Sequence, residues 1–85
     1  MSKEDGKVTV EIFGETHVIK GAEDPEYIQK IAHEVDKKMR LTAQRFPRLA
    51  AHQIAILVAL NLEDDLEKLR KEQETLMELL GEKTE

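Results

Sequence analysis

Ile54-Ala55-Ile56-Leu57-Val58-Ala59-Leu60-Asn61-Leu62-Glu63-Asp64-Asp65-Leu66-Glu67-Lys68-Leu69-Arg70-Lys71-Glu72-Gln73-Glu74-Thr75-Leu76 decides the architecture of this 85-residue chain. No Pro or Gly interrupts the sequence from Ala50 to Leu80, which predicts one helix of roughly 46 Å at 1.5 Å per residue. Its two halves differ. Ile54 to Leu60 is continuously apolar, the pattern of a helix segment buried on all sides. Beyond it the apolar residues narrow to a seam. With Leu66 at heptad position a, Ala59, Leu66, Gln73 and Leu80 occupy a, and Ala55, Leu62, Leu69 and Leu76 occupy d. This is a coiled-coil repeat with one polar interruption at Gln73. The rest of a chain this short cannot wrap so long a helix, so the distal seam is expected to meet another chain. Ile54, Leu57, Val58, Leu62, Leu66, Leu69, Gln73, Leu76 and Leu80 are the candidate oligomerisation residues.

Working back from that helix, Pro47 disfavours helix at Phe46 and ends a first helix near Arg45. Asp24 as N-cap, Pro25 at the first helical position and Glu26 at the positive end of the dipole start it. Ile28, Ile31, Ala32, Val35 and Met39 form its inner face, with Lys30, Glu34, Lys37, Lys38 and Arg45 outside. Upstream, Lys7 to Phe13 alternates with period two and is rich in β-branched side chains, and Thr16 to Lys20 reads as a returning strand. Gly14-Glu15 between them suits a type II′ hairpin turn. In that register Val8, Val10, Ile12, His17 and Ile19 share one face, and Phe13 and Val18 lie on the other. The fold class is therefore α+β: a β-hairpin (7–20) packed on an amphipathic helix (about 25–45), followed by a long helix that forms an intermolecular coiled coil. A globular head is expected over residues 1–60 and a coiled-coil tail over 61–85, with Glu82 to Glu85 frayed beyond Gly81.

Composition narrows the chemistry. The chain has no cysteine, so no disulfide or thiolate metal site, and this fits a reducing compartment. No segment approaches the roughly 20 apolar residues that span a bilayer, and Met1 to Gly6 is too polar for a signal peptide. A soluble cytoplasmic protein without membrane insertion is the expectation. An enzyme needs a nucleophile, a base or a metal. Ser2 is the sole serine, His17, His33 and His52 have no metal-ligand spacing, and His33 with Asp36 offers at best a weak clip. Glu63-Asp64-Asp65 lacks the glycine turn and ligand alternation of a calcium loop. No phosphate-cradling glycine loop is present. Neither catalysis nor a cofactor is expected.

The net charge of −5 is uneven. Residues 25–49 carry six basic side chains against three acids, while residues 50–85 carry four against nine. The acidic total disfavours nonspecific nucleic-acid binding, and Phe13, Tyr27 and Phe46 make no basic stacking platform. The basic middle suits either a solvated helix face or an acidic protein partner.

The run Val8-Thr9-Val10-Glu11-Ile12-Phe13-Gly14, then Tyr27-Ile28, then Val35-Asp36 with Met39-Arg40, resembles the ZapA family of cell-division proteins. So does Pro47-Arg48-Leu49 followed by Ile54 to Asp64; the likeness runs from about residue 7 to residue 80. The short tail is similar to the Gram-positive type. The resemblance implies a cytoplasmic homodimer or dimer of dimers at the mid-cell division site. It further implies binding to the filament protein FtsZ and promotion of crosslinking or bundling of its protofilaments. It also implies a partner surface on the head, for which Lys37, Lys38, Arg40, Arg45 and Arg48 are the candidates. Asn61 is read as a hydrogen-bonding group inside the head or the dimer. Ala50-Ala51 departs from the pattern, since relatives often carry a capping Ser, Thr or Asp there. A coiled-coil oligomerisation module with a different protein partner is the alternative reading.

Overall fold

The computed structural model describes residues 6–21 and 23–81. Its elements are β1 (Val8–Ile12), β2 (Glu15–Ile19), α1 (Pro25–Arg45) and α2 (Ala51–Leu79). The residues before Gly6, the expected frayed end at 82–85 and Ala22 lie outside the described residues.

β1 and β2 pair antiparallel, with Val8 opposite Ile19, Val10 opposite His17 and Ile12 opposite Glu15. Directly opposed residues project from the same face, so Val8, Val10, Ile12, His17 and Ile19 share one, as the alternation predicts. The turn differs by one position. Phe13 and Gly14 form the two-residue loop, both with positive φ (52° and 81°), the pattern of a type I′ turn and not of a II′ turn at Gly14-Glu15. Moving a two-residue loop by one position shifts the pairing by two residues, which leaves every side chain on its original face. The left-handed Phe13 is held from outside the hairpin. Its backbone N–H donates to Asp36 Oδ1 at 2.7 Å, and its ring packs against the Met39, Ile54 and Val58 cluster.

Helix α1 starts and stops where the sequence places it. Asp24 Oδ1 accepts from the Tyr27 N–H at 3.3 Å, Pro25 opens the helix, and Phe46 closes it. Ala32 and Met39 are buried, with Ile28 and Val35 partly so. Ile31 departs from the expected inner face at 42% exposed. Among the described residues two small clusters make the core. Val8, Val10 and Ala32 join β1 to α1, and Met39, Ile54 and Val58 join α1 to α2; Ile12 packs on both.

Helix α2 begins at Ala51 without a side-chain cap, because the Ala50 methyl cannot accept a hydrogen bond. Half of a capping box replaces it: the Ala50 N–H donates to Gln53 Oε1 at 2.9 Å. Leu49 packs on the Ile54 cluster, the position of a hydrophobic staple. At the far end the Leu80 N–H donates to the Leu76 carbonyl and the Gly81 N–H to the Glu78 carbonyl, with Gly81 at φ 76°. The 29 residues between span about 43 Å. The radius of gyration is 17.5 Å, against about 12 Å for a compact chain of this length. Most of α2 therefore projects beyond the packed end.

Candidate self-association and partner interface

The seam of α2 finds no cover among the described residues. Ala55, Ala59, Leu62, Leu66, Leu69, Gln73, Leu76 and Leu80 are all exposed, Leu69 by 61%. The segment Ile54–Leu60 is not buried on all sides in the single chain. Ile54 (1% exposed) and Val58 face α1 and are buried, Leu57 is half-buried, and Ile56 and Leu60 are open to solvent. Two of the candidate oligomerisation residues, Ile54 and Val58, are thus spent on the chain's own core. Ile54 and Val58 cluster with Met39 of α1, whereas Leu62 borders the groove between the helices and Leu66 to Leu80 are exposed further along α2. Leu62, Leu66, Leu69, Gln73, Leu76 and Leu80 form a continuous stripe open to a second helix.

Beside the stripe, among the described residues, two ion pairs form. Asp64 pairs with Lys68 at 3.0 Å and Glu67 with Arg70 at 3.0 Å, both along the helix. The Asp64 carboxylate beside Lys68 raises that ammonium's pKa, and Glu63 one turn away raises that of Glu67. These are solvent-exposed i,i+3 and i,i+4 pairs of small energetic weight.

The five basic candidates separate into different situations. Arg40 is committed: its Nε donates to Asp36 Oδ2 at 3.0 Å, and its guanidinium lies 6.0 Å from the centre of the Phe13 ring. Arg40, and then the Phe13 N–H, hold the Asp36 carboxyl below its ordinary range. Asp36, the residue that the weak His33 clip required, is thereby turned to the hairpin tip. Lys37 lies 3.6 Å from Glu34 on the open side of α1. Arg45 and Arg48 are exposed at the α1–α2 corner. Lys38 lines a groove between the helices together with Leu41, Thr42, Val58, Asn61, Leu62 and Asp65. Asn61 is exposed on that groove and is not enclosed by the chain's own packing.

Three residues with structural roles escape sequence reading. Gln53 closes the start of α2; Gln three positions after an N-cap is a signal, but an alanine cap hides it. Gln29 Nε2 donates to the Thr9 carbonyl at 2.7 Å, tying α1 to the free edge of β1. Asp36 braces the turn across 23 residues of sequence, which no local pattern announces. Among the described residues no group of three or more His, Cys, Asp or Glu could hold a metal ion, and no helix is long and apolar enough to cross a membrane.

A hairpin on an αα-corner, with one helix carrying an uncovered apolar seam, defines a small α+β protein with a projecting helix. Comparison with known proteins gives the family. The family model described as cell division protein ZapA matches residues 8–85. The chain is 38% identical over 69 residues to the cell division protein ZapA of Halalkalibacterium halodurans, covering 81% of this chain and 76% of that protein. It is 36% identical over 86 residues to that of Bacillus anthracis, covering 98% and 97%. A solved ZapA mutant dimer from Geobacillus stearothermophilus superposes with a TM-score of 0.70 at 32% identity, covering 95% of this chain and 94% of that one. The chain belongs to the ZapA family of cell-division proteins, which is not an enzyme family.

Proposed function

We propose that this protein is a non-enzymatic division adaptor that binds FtsZ in the cytoplasm at mid-cell and crosslinks or bundles its protofilaments. The observation that carries the reading is the uncovered a/d stripe of α2, from Leu62 to Leu80. A second copy seated on that stripe yields a homodimer, in keeping with the dimeric relative, and pairing of dimers yields a tetramer. Residues 1–60 then act as the head and 61–85 as the coiled-coil tail. Two or four heads on a stiff coil engage neighbouring protofilaments, and linkage converts weak single contacts into avidity. Binding and crosslinking are all that the function requires, so neither cofactor nor metal enters the mechanism.

For the FtsZ-binding surface we assign Lys37, Arg45 and Arg48 to direct contact with acidic groups on the filament. Their exposure supports this. Arg40 acts through the Phe13-Gly14 turn that it and Asp36 hold in place. The test is co-sedimentation with polymerised FtsZ. Wild type is expected to pellet with the polymer and to lose binding as salt rises, since exposed charges are screened over about 8 Å at physiological ionic strength. The triple variant Lys37→Glu, Arg45→Glu, Arg48→Glu is expected to fold and self-associate normally but fail to pellet. Full bundling by that variant eliminates this surface, and no pelleting of wild type eliminates the partner.

A further inference from the structure

The two edges of the hairpin are unlike. Its two-residue loop makes Ile12 and Glu15 a hydrogen-bonded pair, so Val10–His17 and Val8–Ile19 are bonded pairs too. The backbone groups of the residues between them turn outward. On β1 the outward Thr9 carbonyl is taken by Gln29 Nε2 at 2.7 Å, and α1 thereby closes that edge. On β2 the outward groups belong to Thr16 and Val18, and among the described residues no hydrogen bond reaches them. All five residues of β2 are exposed. Val18 is 56% exposed on one face of the hairpin and Ile19 36% exposed on the other. Free edges are commonly blunted by Pro, Lys or a bulge. Between Glu15 and Ile19 there is no Pro or Lys, and the register with β1 runs unbroken.

We propose that the open edge of β2 takes up an extended segment of FtsZ as a third strand. This rests on the adaptor reading above and adds a backbone contact to the basic surface assigned there. The chemistry of the edge selects its occupant. The outward groups of Thr16 and Val18 recur every two residues, about 7 Å apart, a spacing that an extended backbone matches and a helix does not. Main-chain hydrogen bonds then supply affinity, and side chains supply specificity. Apolar or β-branched residues in the added strand cover Val18 on one face and Ile19 on the other. Glu15 opens β2 and Lys20 follows it. A segment with a cation near the turn and an anion at its other end therefore complements both ends of the edge. Self-association has its own surface in the stripe of α2, which leaves this edge to a different chain.

Proline at an outward position tests the edge on the full chain. The Val18 N–H makes no bond to β1, so Val18→Pro removes an edge donor and spares the ladder. This variant should keep its circular dichroism and its sedimentation, while its apparent affinity for polymerised FtsZ falls about 2–10-fold for the hydrogen bond lost. The second measurement uses wild type: amide hydrogen exchange, resolved to single residues, in the free protein and in the FtsZ pellet. Thr16 and Val18 should exchange fast when free and slowly when pelleted. Fast exchange at both amides in the pelleted wild type overturns the proposal, whatever the variant does. Slow exchange at both in the free, assembled protein gives the edge to a second copy and overturns it too. Undiminished pelleting by a folded Val18→Pro has the same consequence. If wild type does not pellet at all, the adaptor reading falls and this assignment falls with it.

Discussion

Asp36 joins its helical neighbour Arg40 to Phe13, 23 residues away, which sequence spacing would not group with them. Its carboxylate takes the N–H of Phe13 and the Nε of Arg40, while Arg40 also lies over the Phe13 ring. Phe is a poor choice for a left-handed position, since its Cβ crowds the following carbonyl, and the charge-assisted bond that its N–H donates to Asp36 offsets that strain. Asp36→Asn should therefore lower the melting temperature at neutral pH. The pH dependence follows from the direction of the shift. A carboxyl whose folded pKa lies below its unfolded value, about 3.9, contributes stability that is present above that value and lost as pH falls through the folded one. The gap in melting temperature between wild type and Asp36→Asn should be constant above about pH 5 and close progressively below about pH 4. A gap that is the same at pH 3 and pH 7 would show that the Asp36 charge does not brace the turn.

Among the elements, α1 was legible in its extent, because Asp24-Pro25 and Pro47 mark its ends with strong backbone chemistry, but not in its whole inner face, where Ile31 is exposed. The hairpin was legible in its faces but not in its turn, where a tertiary contact moved the loop by one residue. Helix α2 was legible in its extent and seam, while the way its first two turns divide between α1 and solvent was not. Its weak start makes a prediction. Ala50 leaves the first N–H groups without a side-chain acceptor, so Ala50→Ser should stabilise the protein by about 1 kcal/mol, read as a higher urea midpoint at unchanged slope. Further along, Gln73 stands exposed at an a position between Leu66 and Leu80. A polar residue there costs stability while restricting register and oligomer state. Gln73→Leu should raise the melting temperature of the assembled protein and broaden its oligomer distribution. A lower melting temperature with the same assembly places Gln73 outside the seam.

On the scale of the molecule, the six buried apolar side chains among the described residues make a small core. Chains of this size commonly need a staple or a partner, and with no cysteine present the staple cannot be a disulfide. The uncovered leucines of α2 offer the remaining route. At 62% exposed Leu60, and at 78% Leu79, lie outside the a/d stripe, so the apolar surface extends past a two-stranded seam. Sedimentation equilibrium at micromolar protein should accordingly show a dimer or larger, and the melting temperature should rise with concentration, as mass action requires. A stable monomer whose melting temperature is independent of concentration contradicts this architecture.

The period of the apolar residues determined the elements and the faces of this protein from sequence alone. Local backbone chemistry at Asp24, Pro25, Pro47 and Gly81 determined where its helices begin and end. These features depend on neighbours a few residues away, which is the range over which a sequence pattern carries information. The tertiary structure decided what depends on distant neighbours: the Phe13-Gly14 turn braced by Asp36, and the approach of Arg40 to the Phe13 ring. It also decided the division of α2 between Ile54 and Val58, turned inward, and Leu62 to Leu80, left uncovered. Heptad periodicity says that a helix has an apolar side. Only the position of α1 says how much of that side the chain has already used.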